Sequence, residues 1–155
     1  MDRVTIPVAV GLGSNLGERR AHLDYAIARL SQLLNDLRVS PFIETQPVDV
    51  PGDQPAFLNA AAVGTTVETP RRLLMGLLDI ERARGRERPF PGAARTLDLD
   101  LVLFGDRIVV EPDLVVPHPR FRERRFVLEP LAQVAPEMRD PTTGLTVREL
   151  LAQLA

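Results

Sequence analysis

Arg95-Thr96-Leu97-Asp98-Leu99-Asp100-Leu101-Val102-Leu103-Phe104 is the stretch on which the reading of this chain turns. From Leu97 it alternates, so a strand with a two-residue period puts Leu97, Leu99, Leu101 and Leu103 on one face. Asp98, Asp100, Val102 and Phe104 fall on the other, which begins acidic and ends apolar. That is the pattern of a buried strand with one end opening into a cleft. Aspartate is depleted in strands, and like charges side by side repel. Two positions along a strand span roughly 6.6 Å. Carboxylates projecting at that spacing can share one hard cation or clamp a pair about 3.5–4 Å apart. Mg²⁺ suits them best, because it takes one or two carboxylates and leaves its other positions to phosphate and water. The competing reading is a half-exposed edge strand with two solvated aspartates. Arg95 and the arginine-rich loop before it favour the first, since acid for metal beside base for phosphate describes a nucleotide site.

At 155 residues and 17.2 kDa the chain is expected to form one domain, spanning 1–155, with a substantial core. With 45% hydrophobic and 26% charged residues it falls in the ordinary globular range. No cysteine occurs, which excludes disulfides and thiolate metal sites. No charged-then-apolar leader and no apolar run of bilayer-crossing length is evident, so the expected compartment is the cytoplasm and no membrane partner is expected. A net charge of −2 argues against a general nucleic-acid binder. All 19 basic residues are arginine, which matches phosphate and carboxylate geometry better than lysine does.

Upstream, residues 4–13 read as a first strand running into Gly11-Leu12-Gly13-Ser14-Asn15-Leu16-Gly17. The third glycine comes one position too late for a dinucleotide fingerprint, and no Gly-Lys-Ser/Thr follows to make a P-loop. The turn either faces a ligand with its backbone N–H groups or simply connects strand to helix. Leu23, Ala26, Ile27, Leu30, Leu33, Leu34 and Leu37 recur at helical spacing, with His22 expected to be exposed in the first turn. Residues 39–45 read as a second strand, 46–55 as a proline-rich loop and 57–63 as a third strand. Thr69-Pro70 starts a helix whose stripe is Leu73, Leu74, Leu77 and Ile80, with Gly85 at its end. A basic loop, 85–95, leads into the acidic strand.

Gly105-Asp106 reads as a hairpin turn into 107–110, and the prolines of Val115-Val116-Pro117-His118-Pro119 keep that stretch extended. Arg120, Arg122, Arg124 and Arg125 follow, a cluster that taken alone reads as a solvated helix start. Thr146-Val147-Arg148-Glu149 is a capping box, with Leu145 and Leu150 placed as a hydrophobic staple, opening a terminal helix. The order β-α-β-β-α-β, then a hairpin and a helix, predicts an α+β fold: a ferredoxin-like antiparallel sheet with helices packed on it and a C-terminal hairpin and helix extension. The 86–95 loop, the acidic strand and the 118–125 segment converge on a nucleoside triphosphate with Mg²⁺. Phosphoryl-type transfer asks of a protein mainly positioning and charge neutralisation.

The Gly-Leu-Gly-Ser-Asn-Leu-Gly turn, Phe57-Leu58-Asn59-Ala60-Ala61, Arg95-Thr96-Leu97-Asp98-Leu99-Asp100 and Val116-Pro117-His118-Pro119 occur in that order. Together they resemble the 6-hydroxymethyl-7,8-dihydropterin pyrophosphokinases of folate biosynthesis over nearly the whole chain. The resemblance implies transfer of the β,γ-diphosphate of ATP to the pterin's hydroxymethyl oxygen, releasing AMP. It implies that Asp98 and Asp100 bind two Mg²⁺ and that Arg86 and Arg95 assist the transfer. Glu81, Arg88, Arg95, Leu101, His118 and Arg124 would line the ATP site. Thr45 and Val48 would meet the pterin through backbone atoms and Asn59 through its amide, while Phe57 and Phe126 would sandwich the ring.

Some positions depart from the family pattern. Gly92-Ala93-Ala94 stands where an aromatic-Gly-Pro is common, leaving Phe90 as the ring that could meet ATP. Val115 replaces a threonine, Phe57 a tyrosine and Gln46 a proline. Two other readings compete: a ferredoxin-like RNA or ligand-binding module, disfavoured by the scarcity of strand aromatics, and an ordinary ATP:alcohol kinase, which would release ADP. A monomer is expected, for want of a surplus apolar stripe.

Overall fold

The computed structural model describes residues 4–46, 54–85 and 96–154. In chain order its elements are β1 (Ile6–Ser14), α1 (Arg19–Leu33), β2 (Asn35–Val39), β3 (Ile43–Thr45), β4 (Phe57–Thr66), α2 (Pro70–Ala83), β5 (Asp98–Phe104), β6 (Val109–Glu111), β7 (Leu114–Val116), α3 (Arg125–Val134) and α4 (Val147–Gln153). The main sheet is antiparallel with the order β2-β4-β1-β5, and β3 continues the line of β2 along β4. This is the predicted α+β arrangement, with β1 and β4 central.

Alternation along the central strands divides the core into two layers. Val8, Val10, Leu12, Ala60, Ala62, Leu99 and Leu101 meet Leu23, Ala26 and Leu30 of α1 and Leu73, Leu77 and Ile80 of α2. Ala9, Ala61, Val63, Val102 and Leu103 meet Val127, Leu128 and Leu131 of α3 and Val147 and Leu150 of α4. The small side chains of β4, Ala60, Ala61 and Ala62, let helices approach the sheet from both sides. The C-terminal extension is thus the second helical layer. Its α3 was not expected as an element, although the arginine cluster does lead into a helix.

One expectation for β5 is corrected. Leu103 belongs to the α3/α4 layer and Phe104 to the α1/α2 layer, the reverse of strict alternation. Val10 pairs with Leu101 but Ala9 with Leu103, so Val102 is an extra residue and the strand turns over at that bulge. The acidic half of β5, upstream of the bulge, keeps its predicted alternation.

α1 ends at Leu33, short of the predicted stripe: Leu34 is extended, and Asp36 takes φ 53°, a conformation aspartate tolerates better than most side chains. Leu37 therefore sits on β2. The predicted strand over 39–45 is two strands, joined by Ser40, whose N–H donates to Ala61 O at 2.9 Å and whose Oγ accepts the Ala61 N–H at 2.9 Å. The α2 boundaries are as read: Thr69 Oγ1 accepts the Arg72 N–H at 3.2 Å, and Gly85 follows at φ 77°.

The turn at Gly105 forms, with Phe104 O accepting the Arg107 N–H at 3.0 Å, but β6 pairs with β7 and not with β5. Arg71 of α2 holds that hairpin through Asp113 and Glu111. The Val116–Pro117 peptide is cis, and His118 N–H then donates to Val102 O at 2.9 Å, docking the segment on β5. Farther on, Arg122 forks onto the fully buried Asp140 at 2.6 and 2.9 Å. The capping box of α4 is formed, with Thr146 Oγ1 accepting the Glu149 N–H and Glu149 accepting the Thr146 N–H. Among the described residues no helix is long and apolar enough to cross a membrane.

Candidate active site

Asp98 and Asp100 are half-buried on β5, while Leu97, Leu99 and Leu101 fill the core behind them. Register decides what lies beside the two carboxylates. Asp98 pairs with Gly13 and Asp100 with Gly11, and across β1 these glycines pair with Asn59 and Ala61. Directly paired residues project to the same side of a sheet. The acidic pair, two positions without side chains and the Asn59 amide therefore share one face, on the side of α3 and α4.

Asn59 is 5% exposed and its Nδ2 donates to Thr45 Oγ1 at 2.6 Å. Phe57, two residues along the same strand, is half-buried on that face. Phe126, at the start of α3, packs against the layer on the same side of the sheet. The Arg124 guanidinium lies over the Phe126 ring, 5.5 Å from its centroid.

His118 is docked on β5 through its N–H to Val102 O. Its Nδ1 accepts the Arg120 N–H at 3.2 Å, so the neutral ring carries its proton on Nε2. Burial lowers its pKa, as do Arg124 and Arg120, and Asp98 acts in the opposite sense.

Glu81 and Leu101 are placed differently from these. Glu81 is 2% exposed and its Oε2 accepts the Leu99 N–H at 2.7 Å, so it holds the strand between the two aspartates from behind. The Leu101 side chain is buried in the α1/α2 layer. Val48, Arg86, Arg88, Phe90 and Arg95 lie outside the described residues.

The sequence reading missed a set of tethers around the Gly-Ser-Asn turn. Asn15, fully buried, donates from Nδ2 to Gln54 Oε1 at 3.0 Å. Arg19 Nη1 donates to Ala56 O at 2.7 Å and pairs with Glu44 at 2.8 Å. His22, expected to be exposed, is half-buried, and its Nδ1 accepts from Arg84 Nη2 at 2.8 Å and from Nε at 3.1 Å. The Arg84 guanidinium also lies over the Tyr25 ring at 4.7 Å. Residues 54–56 and Arg84 are thereby tied to the start of α1 and the turn before it. The readable signal was an asparagine enclosed by a glycine turn, which needs partners when buried.

The donor set fits Mg²⁺. Both aspartates offer hard oxygens, and among the described residues no group of three or more His, Cys, Asp or Glu side chains converges to make a closed cage. A cation here would keep positions for water and phosphate, as Mg²⁺ prefers. Paired carboxylates, a histidine and Arg124 on an antiparallel α+β sheet make up the candidate site.

Comparison with known proteins agrees. Residues 9–136 match the 7,8-dihydro-6-hydroxymethylpterin-pyrophosphokinase (HPPK) family. The 2-amino-4-hydroxy-6-hydroxymethyldihydropteridine pyrophosphokinase of Pseudomonas aeruginosa is 42% identical, covering 94% of this chain and 90% of its own length. That of Bacillus subtilis is 40% identical, over 87% of this chain and 81% of its own. The crystal structure of wild-type Plasmodium falciparum HPPK-DHPS with SDX-DHP shares the fold at a TM-score of 0.77 and 15% identity, covering 98% of this chain and 45% of that one. The chain belongs to the HPPK family. It is a diphosphokinase of folate synthesis, acting on a pterin.

Proposed function

We propose that this chain, as a single domain, uses ATP and two Mg²⁺ to pyrophosphorylate 6-hydroxymethyl-7,8-dihydropterin. The pterin's hydroxymethyl oxygen bonds to the β-phosphorus of ATP as the bond from that phosphorus to the α–β bridging oxygen breaks. AMP leaves, the pterin keeps the β,γ-diphosphate, and the hydroxyl proton passes to water. The observation that carries this reading is the shared face of Asp98, Asp100 and Asn59, with only Gly13 between Asp98 and Asn59. Asp98 and Asp100 would hold the metal, which when bound neutralises charge on the β- and γ-phosphates.

His118 would donate from Nε2 to a phosphate oxygen, and Arg124 would pair with the triphosphate. Glu81 and Leu101 would contribute to the ATP side from the strand and its support. Arg86, Arg88 and Arg95 are proposed for the same phosphates, Arg86 and Arg95 during transfer. The Asn59 amide, with backbone at Thr45 and Val48, would read the pterin edge, and Phe57 and Phe126 would stack on its faces. A monomer acting in the cytoplasm, with no nucleic-acid or membrane partner, completes the proposal.

The test is the identity of the nucleotide product. With ATP, Mg²⁺ and the pterin alcohol, AMP is expected in step with the pterin diphosphate. ADP as the product would sink the diphosphate-transfer reading, and no turnover would sink the substrate assignment.

A further inference from the structure

Gly13 lies at the crossing of two register lines, paired with Asn59 on one side and with Asp98 on the other. A Cβ at Gly13 would come within 2.9 Å of Asn59 Oδ1 and 3.7 Å of Phe57 Cδ1. The first distance is closer than real Cβ atoms stand, and the second is ordinary contact. Gly13 has no positive φ among the glycines that do, so its backbone would accept a side chain. What excludes one is the Asn59 amide. The clash falls on the far end of a side chain, so the fold can absorb it by turning the amide away. That rotation would strain the 2.6 Å bond from Asn59 Nδ2 to Thr45 Oγ1.

We propose that Gly13 is a positioning residue for the pterin: its bare Cα leaves room for the Asn59 amide, bonded to Thr45 Oγ1, in the orientation that recognises the heterocycle. The inference rests on the reading of Asn59 as a pterin contact. Gly11, its neighbour on the same face, does not share this role, because among the described residues a Cβ there would meet only Val102 Cγ2, at 3.7 Å. The requirement for glycine is thus specific to the position beside the amide.

The experiment is a double-mutant cycle read by titration with the pterin alcohol, in the presence of Mg²⁺ and a non-hydrolysable ATP analogue. Gly13→Ala is expected to weaken pterin binding about tenfold, the equivalent of one misaligned hydrogen bond, while leaving the affinity for the ATP analogue unchanged. In an Asn59→Ala background, where the obstructed oxygen is gone, the same substitution is expected to change pterin binding less than about twofold. This double variant also removes the clash, so it keeps the cycle informative should Gly13→Ala alone fold poorly. Equal losses in both backgrounds, or unaltered pterin affinity in Gly13→Ala, would overturn the proposal. Failure of the wild-type chain to bind the pterin would instead overturn the underlying site reading.

Discussion

Glu81 Oε2 accepts the N–H of Leu99 at 2.7 Å, joining α2 to β5 at the residue between the two aspartates. A buried carboxylate bonded to backbone contributes to stability and to the straightness of the strand it holds. Glu81→Ala is expected to lose about 1.5–3 kcal/mol, the range for hydrogen bonds to charged groups. Glu81→Gln, which keeps an acceptor, should lose less. Urea unfolding of the two variants measures both, and an unaltered midpoint in Glu81→Ala would remove the argument.

Asp98→Ala and Asp100→Ala should each abolish turnover while leaving the unfolding midpoint close to that of the parent. Both side chains are only half-buried, and the core behind them is formed by their leucine neighbours. A loss of at least about 10²-fold in kcat is expected for removing a group that stabilises transferring charge. Full activity in either variant would dismiss the metal assignment.

Arg122 and Asp140 make a pair in which only the arginine reaches solvent, the side chains being 25% and 0% exposed. Burial would raise the Asp140 pKa, but Arg122, Thr143 and the Thr142 N–H outweigh it and hold the pKa below the ordinary carboxylate value. The unfolded chain therefore binds more protons, and stability from this group is present above about pH 4 and lost as pH falls below it. Arg122→Ala should cost about 3–5 kcal/mol by leaving a buried charge unpaired. Asp140→Asn should show a shallower acid limb when unfolding is followed from pH 5 to pH 2.

His22 gives the opposite end of the pH range. Burial lowers its pKa, Arg84 lowers it further, and Glu18 opposes them. The unfolded state again takes up the proton first, so stability rises with pH up to about 6.5 and falls as pH drops below it. His118 acts in the same sense. His22→Gln should flatten, without abolishing, the slope of the thermal midpoint between pH 7 and 5. A slope identical to the parent's would show that the ring does not titrate differently on folding.

Ser14 Oγ is fully buried and has no hydrogen-bond partner among the described residues. Replacing an unsatisfied hydroxyl with hydrogen removes a desolvation cost of about 1–3 kcal/mol against a small loss of packing. Ser14→Ala is expected to be neutral or modestly stabilising by calorimetry. A clear loss of stability would mean that the hydroxyl has a partner in solution.

The acidic strand, the helix starting at Thr69-Pro70 and the cap at Thr146 were all readable, because each depends on neighbours within a few positions in the chain. Features that arise from pairing were not. The reversal at Val102 is a property of β1 lying against β5, and nothing in Leu101-Val102-Leu103 announces it. Leu34 and Leu37 continue a helical period so well that only Asn35-Asp36 hinted at the break. α3 was obscured by an arginine run at its start and by Pro130 within it. Of the site, the residues on strands could be placed by alternation and register. The partnerships of Asn15, Arg19 and His22, each across more than twenty residues, needed the folded chain.

The start of α1 carries consequences beyond its own packing. Asn15 and Arg19 grip residues 54–56, and His22 grips Arg84, so the lead into β4 and the end of α2 are moored to one short stretch of backbone. A small tilt at the start of that helix would shift residues 54–56 and Arg84 together. The entry to β4 and the exit from α2, far apart in the sequence, thus share one anchor.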